Sequence, residues 1–289
     1  MPQADETWTV GRLLSWTADF LKKKGAESPR LDAEVLLAHV LEWQRVQLYT
    51  RFEQEVGETD RAKFRDLVKK RAESMPVAYL VGHKEFFSIA LQVSPAVLIP
   101  RPDTETAVVE ALERLKGLIL PKVVDVGTGS GCLALAIAKH HPSAKVIAID
   151  ISRDALDVAR SNATKLGLAD RVEFREGNLL ACVVNDGPFD LIVSNPPYIA
   201  TSEIAHLEPG VRDYEPRLAL DGGDNGLRIV ARLIEQAAPL LALGGHLILE
   251  IGSDQEAPVR ELIANQPGWT LSPTIRDAAN HPRVVRASR

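Results

Sequence analysis

Apolar positions recur at helical spacing near the start of the chain and in short strand-length runs further on. Val10, Leu13, Leu14, Thr17, Phe20 and Leu21 form one stripe, closed by Lys22-Lys23-Lys24 and Gly25. Ser28-Pro29 reads as a cap and first turn, and Leu31, Val35, Ala38 and Leu41 form a second stripe. Thr59 opens a third segment, with Phe64, Leu67 and Val68 facing inward. Residues 1–75 are therefore predicted to be a small helical bundle. Between 76 and 100 the period shortens: Phe86, Phe87, Ile89, Leu91 and Val93 alternate as a hairpin would, and Pro95, Pro100 and Pro102 punctuate the chain beyond it. This stretch is predicted to be a linker carrying a β-hairpin.

From residue 101 onward, strand-like and helical segments alternate. Asp103 is expected to cap a helix over 104–115. Strands are expected at 123–126, 146–149, 172–175, 191–194 and 246–251, with a last pair near 269–275 and 283–286. The pattern predicts an α/β fold, a doubly wound and mostly parallel sheet, over 101–289.

Two motifs sit at predicted strand ends, where open α/β sheets bind ligands. Asp125-Val-Gly127-Thr128-Gly129-Ser130-Gly131 follows the first strand and opens a helix at Cys132. Glycines there let backbone N–H groups approach a ligand. The next strand ends in Asp150, 19 residues beyond Gly131, where a carboxylate can accept from ribose hydroxyls. The G-x-G-x-G spacing and the leading acid Asp125 suit S-adenosylmethionine, an amino acid without a pyrophosphate, better than a dinucleotide. A glycine turn serving only strand–helix packing is the bland alternative. Asn178 lies after the third strand; its amide suits the adenine edge, and a turn-forming Asn after Gly177 is equally compatible.

The second motif is Asn195-Pro196-Pro197-Tyr198, after the run 190–194. Two prolines supply no N–H and fix φ, so the stretch is rigid and rich in acceptors. The Asn195 side-chain oxygen, the Pro196 carbonyl and the face of Tyr198 suit a planar NH2 group.

Composition narrows the class. The 289 residues are 45% hydrophobic and 25% charged, with 34 Lys and Arg against 39 Asp and Glu, a net charge of −5. That balance argues against a nucleic-acid-bound protein. Cys132 and Cys182 cannot build a disulfide framework or a CxxC metal site, and the seven histidines show no metal-ligand spacing. No signal sequence or membrane-spanning run is visible, so a reduced, cytoplasmic protein is expected.

The glycine loop, the following acid and the NPPY stretch together resemble class I methyltransferases of planar nitrogens. Pro76-Val-Ala-Tyr79-Leu-Val-Gly82, Phe86-Phe87, Leu98-Ile-Pro-Arg-Pro-Asp-Thr-Glu105, Glu215-Pro-Arg217 through Leu227, Leu249-Glu250-Ile-Gly252 through Gln255 and, less tightly, Asp277 through Val285 resemble the release-factor glutamine methyltransferase family (PrmC/HemK). The resemblance is strong over 75–289 and weaker in the helical region, which it marks as the substrate-recognition domain. It implies methylation of the glutamine N5 in the GGQ loop of peptide-chain release factors. It implies that Gly127, Thr128, Gly129, Ser130, Gly131 and Asp150 contact S-adenosylmethionine, with Asn195 beside the methyl donor and Asn195 to Tyr198 holding the glutamine amide. Family members often carry an aromatic residue near the adenine; here Leu179 stands in that place and would give apolar cover. The product would be S-adenosylhomocysteine. A monomer without stable nucleic-acid or membrane association is expected.

NPPY chemistry also permits a nucleic-acid amino-methyltransferase acting on adenine N6 or guanine N2, and the resemblance admits a ribosomal-protein glutamine methyltransferase. A cofactor-binding regulator without catalysis is a third reading, which the intact Asn195 opposes. Arg101, Asp103 and Glu105 read equally as a plain helix start or as channel lining, and Glu250 and Asp221 are similarly open.

Overall fold

The structure, a computed structural model, describes residues 7–277 and 279–289. It divides into two compact units: one of residues 1–82 with 208–214, the other of 83–207 with 215–289. The break thus falls at Gly82, and a short return segment joins the first unit.

The first unit holds α1 (Val10–Lys23), α2 (Pro29–Leu41), α3 (Arg45–Thr50), α4 (Glu58–Ala72) and α5 (Val77–Val81). Thr9 caps α1 by accepting from the Arg12 backbone N–H. Ser28 makes no such side-chain bond, so α2 starts on Pro29 alone. The expected stripe on α2 is wider than its spacing implies: Ala38 is buried and Val35 and Leu41 pack against the core, Ala33, Leu36 and Leu37 are buried as well, and of the expected positions Leu31 is exposed. Two acids share this buried surface as ion pairs: Asp32 bonds Arg71 at 2.7 Å, and Glu34 bonds Arg30 and Arg45 at 2.9 and 2.8 Å. Carboxylates so paired can occupy positions that a plain apolar stripe would claim.

In the second unit β1 (His83–Phe86) and β2 (Ile89–Gln92) form the expected hairpin. Phe87 and Ser88 both take positive φ, the geometry a two-residue hairpin turn demands. Then come α6 (Glu105–Leu115), β3 (Lys122–Val126), α7 (Cys132–His140), β4 (Lys145–Asp150), α8 (Arg153–Lys165), β5 (Val172–Glu176) and β6 (Phe189–Ser194). The chain continues through α9 (Pro209–Arg212, in the first unit), α10 (Arg228–Ala237), β7 (Leu241–Glu250), α11 (Glu256–Ala264), β8 (Thr270–Leu271), β9 (Ile275–Arg276) and β10 (Pro282–Ser288).

The large sheet runs β5-β4-β3-β6-β7-β10-β8, and β9 also pairs with β10. Its seventh place, expected as one strand near 269–275, is shared by two short strands. Pro273 lies between them and has no N–H to give a ladder. β3 to β7 are mutually parallel and β10 is antiparallel. Adjacent residues feed opposite faces: Val123 and Val193 join the core under α6 and α7, while Val124 and Ile192 join that under α10 and α11. Both faces are covered, which is why the strands read as apolar runs. Among the described residues no helix is long and apolar enough to cross a membrane.

The helix start at 101–105 differs from expectation. Asp103 makes no cap bond; it lies inside a 3-10 turn over Pro102–Thr104 that precedes α6, and it pairs with Arg283 at 3.1 Å. Glu105 accepts from the Phe87 N–H at 2.9 Å, tying the hairpin turn to α6.

Candidate functional site

Sheet register assembles the site. Val126 of β3 pairs with Ile149 of β4 and with Ser194 of β6, and Ser194 pairs with Leu249 of β7. The next residues along these four strands are Asp150, Gly127, Asn195 and Glu250. They form one row at the carboxyl ends, across the point where the strand order reverses between β3 and β6. Ser194 Oγ donates to the Val126 carbonyl at 2.7 Å and locks the two middle strands together.

A cavity of about 260 Å³ opens over this row. Gly127, Thr128, Gly129 and Ser130 line it from the loop, and Asp150 lines it from β4. Asn178 and Leu179 lie after β5, and Asn195 and Pro197 after β6. Three expected residues do not line it: Gly131, Pro196 and Tyr198. Gly131 is the left-handed residue before α7, and a Cβ there would meet Leu135 Cδ1 at 2.9 Å. Its glycine is required by packing. Pro196 is buried. Tyr198 faces a second cavity of about 380 Å³ with Ile199, Gln255 and Arg283.

The loop works differently from a phosphate cradle. The N–H groups of Gly127 and Thr128 donate to the Ile149 carbonyl at 2.8 and 2.9 Å, and that of Gly129 donates to Asp150 Oδ2 at 2.9 Å. Three donors that a pyrophosphate would need are already engaged. Gly127 and Gly129 have φ of +72° and +55°, and a Cβ at either would project into open space. A side chain there would fill the cavity floor. The surface left suits a ligand that offers an ammonium and hydroxyls, as S-adenosylmethionine does.

Asp125 is fully buried beneath the loop rather than in the cavity. Its Oδ2 accepts from Thr128 Oγ at 2.7 Å and from the Ala134 N–H at 3.0 Å, pinning the loop to the first turn of α7. Its Oδ1 has no partner among the described residues, and burial pushes its pKa up to about 7. The leading acid of the loop, expected to suit the cofactor, thus takes a supporting role beneath the loop. Asp150 is only half-buried; burial raises its pKa, against the Ser152 and Gly129 N–H groups that favour the anion. Its Oδ2 accepts from the Gly129 N–H and its Oδ1 from the Ser152 N–H, each at 2.9 Å, which leaves acceptor capacity on the carboxylate for a hydroxyl. Asn178 Oδ1 accepts from Arg232 at 3.2 Å, so its NH2 remains the free group.

Asn195 is oriented by a residue from far along the chain. Its Nδ2 donates to Thr104 Oγ at 3.2 Å, which leaves Oδ1 as the atom free to accept. Thr104 is 1% exposed, and Glu250, which ends the neighbouring strand, is likewise 1% exposed. The rest of NPPY is held by close backbone approach. A Cβ at Gly222 would meet the Pro197 carbonyl at 2.7 Å, and one at Gly226 would meet the Tyr198 carbonyl at 2.2 Å. Gln255 Nε2 donates to that same Tyr198 carbonyl at 2.9 Å. Burial, ahead of the nearby Glu250 charge, pushes the Tyr198 phenol up to about 12, so it stays protonated. Two further segments close the cavity, and Arg101 and Glu215 join them at 2.6 Å.

Residues 121–269 match the family described as methyltransferase domain, and residues 12–82 match that described as PrmC N-terminal domain. The release factor glutamine methyltransferase of Rhodopirellula baltica is 48% identical, covering 97% of this chain and 96% of the relative. This chain belongs to the release factor glutamine methyltransferase family. The family's member from Geobacter sulfurreducens is 41% identical over 99% and 98% of the two chains. Among solved structures, the ribosomal protein L11 methylase from Lactobacillus delbrueckii subsp. bulgaricus aligns with a TM-score of 0.50 at 27% identity, over 69% of this chain and 84% of that one. The chain is therefore a methyltransferase with a class I fold.

The sequence does not assign Thr104 or Glu250 to the site. Thr104 lies in the Leu98–Glu105 block and Glu250 in Leu249-Glu250-Ile-Gly252, so both belong to stretches that mark the family. Neither stretch says which side chain it meets.

Proposed function

We propose that this enzyme transfers a methyl group from S-adenosylmethionine to the side-chain amide nitrogen of the glutamine in the GGQ loop of peptide-chain release factors. The observation that carries the reading is Asn195, whose amide is anchored through nitrogen so that its oxygen stands beside the glycine cradle. The names of the curated relatives support the glutamine as acceptor. The reading has the enzyme acting in the cytoplasm as a single chain, with the release factor as partner and no stably bound nucleic acid.

In this reading Gly127 to Ser130 and Asp150 hold the cofactor, with Asn178 and Leu179 at the adenine. Leu179 gives apolar cover in place of an aromatic face. When bound, S-adenosylmethionine supplies an electrophilic methyl on a sulfonium and leaves as S-adenosylhomocysteine. An amide nitrogen is a poor nucleophile, because its lone pair is delocalised into the carbonyl. Asn195 Oδ1 accepts one N–H of the substrate amide and orients its plane; the Pro196 carbonyl, expected as the second acceptor, belongs to a residue buried outside the cavity. Tyr198 packs against the bound glutamine from the second cavity. Such positioning can supply up to ~7–11 kcal/mol of the barrier. Acceptor dipoles facing the nitrogen also favour the positive charge that develops there. The extra proton passes to water once the carbon–nitrogen bond has formed.

The test supplies methyl-labelled S-adenosylmethionine with purified release factor, ribosomal protein or DNA in separate reactions. Label is expected in the release factor, lost when its GGQ glutamine is replaced. Label in DNA alone would favour the nucleic-acid reading and overturn this one.

A further inference from the structure

We infer that Gln255 is a positioning residue for methyl transfer: its side-chain amide ties the Asn195–Tyr198 corner to the Gly222–Gly226 loop and to the turn after β7, and so fixes where Tyr198 meets the substrate. The inference rests on the proposed role of that corner.

Pro196 and Pro197 have no N–H, so the main chain of the corner can be held there only through its carbonyls. The donor must come from elsewhere in the chain. Beyond the corner, main-chain pairing takes over. Ile199 bridges Asp221 in parallel; its N–H donates to the Leu220 carbonyl at 3.0 Å, and its own carbonyl accepts from Gly222 at 2.8 Å. Thr201 then donates to the Gly223 carbonyl at 3.0 Å. Tyr198 stands between the prolines and this pairing, and its carbonyl accepts from Gln255 Nε2 at 2.9 Å.

Gln255 is 8% exposed and stands between β7 and α11. Its amide has two N–H donors and one acceptor oxygen, and each end has its own partners. Oε1 accepts from the Gly252 N–H at 3.2 Å. Nε2 reaches the Tyr198 carbonyl at 2.9 Å and the Gly226 carbonyl at 3.5 Å. Three segments distant in sequence thus meet at one planar group. Gly226 leaves room for it, since a Cβ there would lie 2.7 Å from Nε2. A staple for the turn after β7 alone would need only the oxygen. A carboxylate of the same shape would keep that bond to Gly252 but set an oxygen against two carbonyls. Gln255 lines the second cavity beside Tyr198 and not the first, where the glycine loop lies. Its loss should therefore disturb the substrate side of the reaction and leave cofactor binding intact.

The experiment measures kcat, release-factor KM, cofactor affinity by calorimetry and melting temperature for the full chain, Gln255→Glu and Gln255→Met. Gln255→Glu should lower kcat about ten- to a hundredfold, the scale of a group misplaced by about 1 Å. Its cofactor affinity should stay near wild type. Gln255→Met makes neither bond but opposes no carbonyl, so it should lose no more kcat than Gln255→Glu. A mere turn staple gives the reverse order, because Gln255→Glu keeps the Gly252 bond. A Gln255→Glu kcat within twofold of wild type, a larger loss in Gln255→Met, or a fall in cofactor affinity as large as the fall in kcat overturns the inference. Should Gln255→Glu fail to fold, the kcat and cofactor affinity of Gln255→Met decide by the same thresholds. If wild type labels DNA or ribosomal protein instead of release factor, the function reading falls. The same ratios on that substrate still decide the role of Gln255, because the corner serves any planar NH2.

Discussion

The glycine loop after β3 and the Asn195 corner after β6 leave the sheet from paired residues, yet they are built in opposite ways. The loop is a local object. Its N–H groups bond to Ile149 and Asp150 one strand away, and Asp125 holds it from beneath through Thr128 and Ala134. The corner is assembled from a distance. Asn195 is anchored by Thr104, 91 residues earlier in the chain, and it leaves the sheet beside Glu250 of another strand. A backbone cradle tolerates change in side chains that do not fill it. A relay of side chains fails when any one of them is altered. In the proposed mechanism the first region binds and the second aligns, so the two should fail in different kinetic constants.

The sharpest way to separate them is Asn195→Ala. It removes the aligned acceptor and nothing from the cradle. A loss of about 10²–10³-fold in kcat is expected, the range seen when one preorganised group is removed from a transition-state site. Cofactor affinity by calorimetry should change little. Near wild-type turnover would break the comparison, since the corner would then not be aligning anything.

Asp150→Ala should give the opposite signature. The carboxylate ties the loop at Gly129 to the start of α8 at Ser152, and in the proposed site it also takes a cofactor hydroxyl. Hydrogen bonds to a charged group contribute about 1.5–3 kcal/mol. Cofactor affinity should therefore weaken on the order of 10- to 100-fold, with kcat at saturation much less affected. Equal losses in both constants would mean that the two regions act as one.

These two signatures also show how much of the molecule is legible in its sequence. The loop is readable because its parts are neighbours: glycines at fixed spacing after a strand, and an acid at the next strand end. Even there, the chain pattern does not say that Asp125 lies under the loop or that the glycine N–H groups bond inward. Those outcomes follow from depth in the sheet, which spacing does not carry. The corner is readable only as far as Asn195 itself. Thr104 looks like part of a helix start and Glu250 like a strand end. Placing them beside Asn195 requires knowing that β6 and β7 are neighbours in register and that the turn before α6 reaches that row. The α2 stripe misleads for a related reason, since Asp32 and Glu34 are buried by partners on other helices.

The support beneath the loop can be tested through pH. The folded Asp125 carboxyl keeps its proton up to about pH 7, against an ordinary value of 3.8. Between those values the folded state binds more protons than the unfolded chain, so this group lowers stability as pH rises. Asp125→Asn removes the titration while keeping an oxygen for Thr128 and Ala134. Relative to wild type, the variant should gain stability from pH 5 to pH 8, by on the order of a few kcal/mol. Denaturant unfolding at both values measures it. A constant difference across the range would mean that Asp125 is ionised throughout, and that the loop is held by charge rather than by a neutral acid.

The smallest effect belongs to Asn178, and it concerns how far the cradle depends on side chains at all. Its oxygen is already taken by Arg232 at 3.2 Å on an exposed edge, leaving the NH2 as the group able to reach an adenine ring nitrogen in the proposed site. A net neutral hydrogen bond contributes about 0.5–1.5 kcal/mol. Asn178→Ala should thus weaken cofactor affinity by only about two- to tenfold, with kcat unchanged. Asn178→Asp keeps the shape and the acceptor for Arg232 but replaces the donor. It should weaken affinity at least as much as the alanine if the NH2 is what the adenine meets. If aspartate binds the cofactor as wild type does, Asn178 is a turn residue. The adenine would then be held by the apolar cover of Leu179 and by backbone alone, making the cradle still less dependent on side chains.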